Sequence, residues 1–278
     1  MIYFLFIILF IILFIYYIWL SVNPMKYNCG NKDDVLKYIK KYTMKFISIN
    51  HKKNFDFNNL KYPKIFKPVI CSGISKNLKI INNPDEALNY HLNIVDNYII
   101  QDISYYKYEV GLLYERLPFQ EKGNIISIYK RKFNDYNKLN IWNYNNSNDN
   151  PEYINKNNLI TKKLIDKIDK IIKKIPNLYA CRLDIKYDND KDFSKGKKFI
   201  ILEVNGVMGY DLAFYTDNLF KKILSSIRWI FSRLLIGFLN IISFNGANIY
   251  NVFFKIHERI KLSYKCNDFE KLLEYVHT

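Results

Sequence analysis

Residues 177–211 read NLYACRLDIKYDNDKDFSKGKKFIILEVNGVMGYD. Two runs in this stretch, YACRLDIKY and KFIILEVNG, are rich in β-branched and aromatic residues, and the polar segment Asp188–Gly196 separates them. That pattern predicts two adjacent strands joined by a turn. Asp184 lies in the first strand, Glu203 and Asn205 in the second. Residues two apart on a strand share a face, so Glu203 and Asn205 present their oxygens side by side. If the strands pair, Asp184 joins them. Three hard oxygen side chains around one point suit Mg2+, which takes carboxylates together with substrate phosphates. Taken alone, the stretch reads equally well as an ordinary hairpin with solvated charges.

Upstream, Thr161–Lys174 carries Leu164, Ile165, Ile168, Ile171 and Ile172 at helical spacing and predicts an amphipathic helix feeding into the first strand. Residues 134–158 are Asn-rich and read as an irregular loop. Before them come three strand-like runs, Tyr98–Ile103, Tyr108–Tyr114 and Ile125–Tyr129, the last leading into Lys130, Arg131 and Lys132. Pro84, Asp85 and Glu86 start a helix running to about Val95, with proline and acids in its first turn. Further upstream, YPKIFKPVICSGISKNLKIINN (residues 62–83) predicts a strand ending at Lys67–Pro68, a small polar loop and a second short strand. A lysine inside an apolar strand is expensive unless it meets an anion, and backbone N–H groups around Ser72, Gly73 and Ser75 can cradle phosphate oxygens. The plainer alternative is a hairpin with an exposed Lys67. Segregated strands with few helices predict an α+β fold rather than a doubly wound sheet.

A chain of 278 residues with 49% hydrophobic side chains can build one large domain or two lobes. Its formal charge of +16 favours anionic partners. The lysines are spread along the chain without a basic block, which argues against a dedicated nucleic-acid binder. Cys29, Cys71, Cys181 and Cys266 are far apart and form no zinc spacing, so free thiols in a reducing compartment are expected. His51, His91, His257 and His277 are scattered, with no HExxH, and support no histidine-based metal site or triad.

Residues Ile2–Leu20 carry no charge and match the length of a bilayer-spanning helix. They lack the basic start and short apolar core of a cleaved signal, which predicts a retained anchor. Lys26, Lys32, Lys37, Lys40, Lys41 and Lys45 follow the segment, placing the body on the cytosolic side of a single-pass membrane protein. Residues 24–60 read as a linker with one helical stretch near Asp33–Phe46. At the other end, Leu219–Phe244 is apolar but interrupted by Arg228 and Arg233. Two central arginines disfavour a membrane span. An amphipathic helix packed on the core is expected, a helix lying on the membrane surface being the alternative. Cys266–His277 reads as a capping helix. The resulting division is an anchor (1–22), a linker (23–60), a central domain (61–217) and C-terminal helices (218–278).

The ordered motifs YPKIFKPV, YIIQDI, YEVGLLYERLP, GNIISIYKRKF, CRLDIKY and FIILEVNGVMG resemble the ATP-grasp superfamily, in particular its D-alanine–D-alanine-ligase-like branch. The resemblance covers about residues 62–211. It implies two α+β lobes enclosing ATP, and an ATP- and Mg2+-dependent ligase joining a small carboxylate to an amine or thiol through an acyl phosphate. It also implies roles. Lys67 and Lys130 would hold phosphates, with Ser72, Gly73 and Ser75 in a covering loop. Gln101, Asp102 and Ile103 would line the adenine, and Glu109 would approach the ribose. Asp184, Glu203 and Asn205 would bind Mg2+. Arg182 and Lys130 would be catalytic. The chain departs from the family pattern where residues 24–60 stand in for a separate N-terminal lobe, and where the 134–158 loop lacks a Gly-Asp-Gly-type turn. A non-catalytic nucleotide-binding protein and a phosphotransferase on the same fold stay open, as does a homodimer.

Overall fold

A computed structural model describes residues 2–22, 32–69, 78–132, 152–206, 209–216 and 218–243. Two antiparallel sheets organise them. The smaller contains β1 (Phe46–Ile49), β2 (Lys64–Pro68), β3 (Lys79–Ile81) and β4 (Tyr98–Asp102), in the order β1-β4-β2-β3. The larger contains β5 (Tyr108–Glu115), β6 (Asn124–Lys132), β7 (Glu152–Asn155), β8 (Ala180–Tyr187) and β9 (Phe199–Asn205), in the order β7-β6-β5-β8-β9. The helices are α1 (Ile2–Leu20), α2 (Lys32–Tyr38), α3 (Pro84–Asn93), α4 (Lys162–Ile172), α5 (Asp190–Ser194) and α6 (Leu219–Ser243). Two α+β lobes are the architecture that the strand order predicts.

Each lobe closes on one apolar face of its sheet. In the smaller, Phe66, Tyr98 and Ile100 are buried with Ala87 and Tyr90 of α3. This helix starts where the sequence places it: the Asn83 side chain accepts from the Glu86 N–H at 2.9 Å, and Glu86 reaches back to the Asn82 N–H at 2.9 Å. In the larger lobe, Leu164, Ile168, Ile171 and Ile172 of α4 are buried with Val110, Leu112, Ile128, Leu183 and Ile185 of the sheet. Thr161 caps α4 by accepting from the Leu164 N–H.

Three segments differ from the sequence reading. Residues 24–60 are more than a linker. Phe46–Ile49 forms an edge strand against β4 (Phe46↔Gln101 to Ile49↔Tyr98), and Phe57 is buried in the small-lobe core. Four residues give too short an alternation to stand out, and pairing with β4 decides their conformation. Within the 134–158 loop, Glu152–Asn155 forms β7 on the edge of β6; its bounding residues are the same polar types that fill the loop. The turn Asp188–Gly196 contains α5, capped by Asn189 on the Asp192 N–H at 2.8 Å. Phe193 of this short helix stacks on Tyr187, with ring centroids 4.4 Å apart. The capping helix expected at Cys266–His277 lies outside the described residues.

One buried carboxylate ties the large sheet to α4. Asp169 accepts from the Tyr114 hydroxyl at 2.6 Å and the Gly123 N–H at 2.8 Å, and pairs with Lys173 at 2.9 Å. Burial pushes this carboxyl up, but the Tyr114 hydroxyl, the Gly123 N–H and Lys173 together hold it below the usual carboxylate range. A depressed folded-state value means that this contribution to stability is complete above about pH 4 and is lost as the pH falls further. Asp169→Ala is expected to cost about 3 kcal/mol and to flatten the acid limb of stability, as read by urea midpoints between about pH 6 and 3.

α6 packs on the large lobe. Arg233, fully buried, donates to Glu115 Oε1 at 2.6 Å, and the Trp229 indole N–H donates to Gly209 O at 3.1 Å. Arg228 pairs with Asp211 at 2.8 Å. By length and composition α6 is long and apolar enough to cross a membrane, yet its arginines are bound to protein carboxylates.

Candidate functional site

The second face of the large sheet, away from α4, carries a lattice of charge. Strand register creates it. Glu109 on β5 lies between Arg131 on β6 and Lys186 on β8. Two residues along, Gly111 lies between Tyr129 and Asp184, and Asp184 is paired with Glu203 on β9. Two residues further, Arg182 is paired with Asn205. All of these side chains project to one face because each is an even number of residues from its neighbour along the strand.

Asp184 is the hub. Arg182 Nε donates to its Oδ1 at 2.9 Å and Arg182 Nη2 to its Oδ2 at 3.3 Å. Arg131 Nη2 lies 3.4 Å from both oxygens, and Asn205 Nδ2 is 3.3 Å from Oδ2. Arg131 also donates to Glu109 Oε1 at 2.6 Å. Burial pushes the Asp184 carboxyl up; Arg131 and Arg182 more than offset it and hold it below the usual range. For Arg131, desolvation is outweighed by Asp184 and Glu109, so its guanidinium stays charged. Lys186 is pulled down by burial, with Glu109 opposing.

Two cations from outside the large sheet reach its edge strand β9. Lys67 is buried on β2 and reaches across to donate to Leu202 O on β9 at 3.3 Å. Lys32, at the start of α2, pairs with Glu203 at 3.5 Å. Gln101 shares the Lys67 face of the small sheet, through the pairs Ile65↔Gln101 and Lys67↔Ile99. It is 2% exposed, and its Nε2 has no hydrogen-bond partner among the described residues. An orphaned buried donor of this kind costs about 1–3 kcal/mol unless a ligand accepts from it.

The structure therefore brings together Lys67, Glu109, Arg182, Asp184, Glu203 and Asn205, and places Gln101 and the buried Ile103 at the lobe junction. Asp102 instead pairs with Lys64, its opposite neighbour on β2. Lys130 is not on this face. It follows the alternation to the other side of β6, where its Nζ lies 3.8 Å from the Tyr108 ring centroid. The site-facing cation of the Lys130–Arg131–Lys132 run is Arg131, which the sequence reading missed. Three consecutive cations conceal which one faces the site; the pairing Glu109↔Arg131 settles it. Lys32 was missed because only folding brings α2 to β9. Ser72, Gly73 and Ser75 lie outside the described residues.

The donor set fits Mg2+. Two carboxylates and an amide oxygen on adjacent strands match an ion that needs one or two protein carboxylates and completes its shell with water and phosphate. Among the described residues no group of three or more His, Cys, Asp or Glu could hold a metal alone, so tight binding would depend on the phosphates of a ligand.

The end of the site face is fixed by Gly209. A Cβ there would stand 2.7 Å from Arg182 N and 2.8 Å from Asn205 O, both backbone atoms. Gly209→Ala is expected to cost about 1–3 kcal/mol in thermal or urea unfolding, because β8 and β9 must move apart at Arg182 and Asn205.

Solved ligases resemble this chain. D-alanine–D-alanine ligase from Bacillus anthracis has a TM-score of 0.48 at 17% identity, over 77% of this chain and 66% of that one. D-alanine–D-alanine ligase from Helicobacter pylori has a TM-score of 0.45 at 17% identity, over 74% and 58%. L-amino acid ligase from Bacillus licheniformis has a TM-score of 0.45 at 15% identity, over 66% and 41%. The chain thus spans two thirds or less of their lengths. No protein-family model matches the chain, and no curated protein does.

Proposed function

We propose that this chain is an ATP- and Mg2+-dependent carboxylate–amine ligase of the ATP-grasp kind, held at a membrane by α1. The observation that carries this reading is the charged face of β5, β6, β8 and β9, with Lys67 of the small lobe reaching β9 and a buried Gln101 Nε2 that has no partner among the described residues. The motifs in chain order, from Lys67–Pro68 to Glu203–Asn205, support the nucleotide assignment.

The proposed chemistry follows from charge. A substrate carboxylate oxygen attacks the γ-phosphorus of ATP, ADP leaves, and an acyl phosphate remains. An amine, or a thiol in the variant reading, then attacks the acyl carbon; phosphate leaves and the nucleophile loses its proton. Lys67, Arg131 and Arg182 would neutralise the phosphoryl oxygens. Single cationic or donor groups of this type are worth about 2.7–4 kcal/mol in a transition state. Asp184, Glu203 and Asn205 would hold Mg2+, which supplies charge neutralisation on the phosphates. Gln101, Ile103 and Glu109 would position the nucleoside.

One observation favours a second reading. Both oxygens of Asp184 are already engaged by Arg131, Arg182 and Asn205, as suits a protein that binds nucleotide without turning it over. ADP release across a panel of amino acids and small acids separates the two. Release with at least one acid–amine pair, and amide product by mass spectrometry, is expected. ATP-dependent thermal stabilisation without release would favour the binding protein, and phosphorylated product without amide a phosphotransferase.

For the membrane, α1 is a 19-residue helix without charge, and lysines crowd residues 26–45 after it. Together they support a single-pass anchor with the body in the cytosol. Resistance to carbonate extraction is expected, and protease access to the body only from the cytosolic face.

A further inference from the structure

The polarity of α6 is inverted relative to a helix on a soluble domain. Beyond the first turn, which carries Lys221 and Lys222, its charged and hydrogen-bonding side chains meet the protein: Arg228 pairs with Asp211, Ser232 and Arg233 bond Glu115, and Asn240 donates to the Ser21 and Val22 carbonyls at 2.9 and 3.1 Å. Its outward side is an unbroken apolar stripe at helical spacing. Phe220, Ile227, Phe231, Phe238 and Ile242 are all exposed on it, Phe231 by 68%. A helix that turns its arginines inward and a continuous apolar stripe outward is built for a non-aqueous neighbour.

The position of α1 identifies that neighbour. The C-terminal end of α1 packs beside α6. A Cβ at Gly237 would stand 2.0 Å from Ile18 O, and Trp19 and Trp229 meet edge to face at 5.2 Å. Beyond this contact α1 leaves the body. Ile7 to Tyr16 are exposed in unbroken succession, so every side of the helix is bare. A second copy of the chain could cover one side of such a helix; a bilayer covers them all. The α1–α6 contacts then hold the α6 stripe at the same boundary. Lys221 and Lys222, at the start of α6, and the net charge of +16 suit acidic headgroups.

We propose that α6 lies in the headgroup region of an acidic bilayer as an interfacial helix beside the α1 anchor. The inference rests on the anchor reading above. Its consequence is positional. Trp229 bonds Gly209, which packs against Arg182 and Asn205. The Arg182–Asn205 end of the site is therefore separated from lipid by about one helix diameter, ~10–12 Å. That end is suited to an acceptor presented at the membrane surface.

Photocrosslinking tests this. The full chain carrying Phe231→p-benzoylphenylalanine, or the same replacement at Phe238, is reconstituted into phosphatidylcholine–phosphatidylserine vesicles. Tyr105, 65% exposed in the segment joining β4 to β5, is the control position. Lipid adducts at 231 and 238, on the order of tenfold above those at 105, are expected. Flotation with the vesicles but no lipid adduct at 231 overturns the interfacial helix and spares the anchor. Crosslinks at 231 to a second copy in place of lipid overturn it in favour of a dimer face. Failure of the full chain to float overturns both readings.

Discussion

Replacing Asp184 with asparagine is expected to lower nucleotide-dependent turnover by about 10²–10³-fold, the range seen when one well-placed electrostatic group is removed from a transition state. The side chain keeps its shape, and the guanidinium groups of Arg182 and Arg131 lose the negative charge that they share. Arg131 retains Glu109 at 2.6 Å, whereas no other acidic partner stands against Arg182 among the described salt bridges. A second consequence is structural. Breaking a buried pair from one side costs about 3–5 kcal/mol, a large part of the 5–15 kcal/mol typical of a folded domain. The two effects are separable. Asp184→Asn should reduce both stability and turnover, while Glu203→Gln, at a carboxylate whose ion-pair partner among the described residues is Lys32, should reduce turnover and the Mg2+-dependent part of ATP stabilisation with little change in the ligand-free melting temperature. Equal stabilisation of wild type and Glu203→Gln by ATP with Mg2+ would refute the metal assignment.

Glu115→Ala is expected to destabilise the protein by about 3–5 kcal/mol. Glu115 sits at the end of β5 and accepts from Arg233 at 2.6 Å and Ser232 at 2.9 Å. Arg233 is fully buried, and its Nε and Nη2 have no partner among the described residues. Burial holds its guanidinium below the usual value, with Glu115 offsetting only part of that effect. Removing that carboxylate strands a charge under α6. The companion variant Glu115→Leu/Arg233→Met removes both charges, and isosteric apolar pairs in such positions are often neutral or stabilising by about 1–4 kcal/mol. Denaturant midpoints of the single and double variants check this. If the single change costs less than about 1 kcal/mol, the ion pair is wet and α6 is held by its apolar contacts alone.

Much of the fold was legible because the relevant signals are local. The proline and acids that open α3, the apolar face of α4 and the β-rich runs of β5, β8 and β9 each lie within one short window of sequence. Period-2 alternation also placed Asp184, Glu203 and Asn205 on one face once their strands paired. The elements missed were those whose conformation depends on a distant partner. β1 exists because β4 offers it a free edge, and β7 because β6 does. α5 is short and polar apart from Phe193, which finds Tyr187 only after folding.

The site divides the same way. The sequence by itself determined that acids and cations of the right type occur in strands, in an order that resembles ATP-grasp proteins, and that an uncharged 19-residue segment precedes them. Tertiary structure decided which cation faces the acids. Lys130 and Arg131 differ by one position, and one position on a strand reverses the face, so only the register against Glu109 selects Arg131. It also brought Lys32 to Glu203 from residues that read as a linker, and it turned Arg228 and Arg233 inward. Those two arginines look in the sequence like interruptions of an apolar helix. In the fold they are its attachment points, because Asp211 and Glu115 lie where the helix lands. Charge type is written in the chain; the carboxylate that meets each charge is settled only by packing.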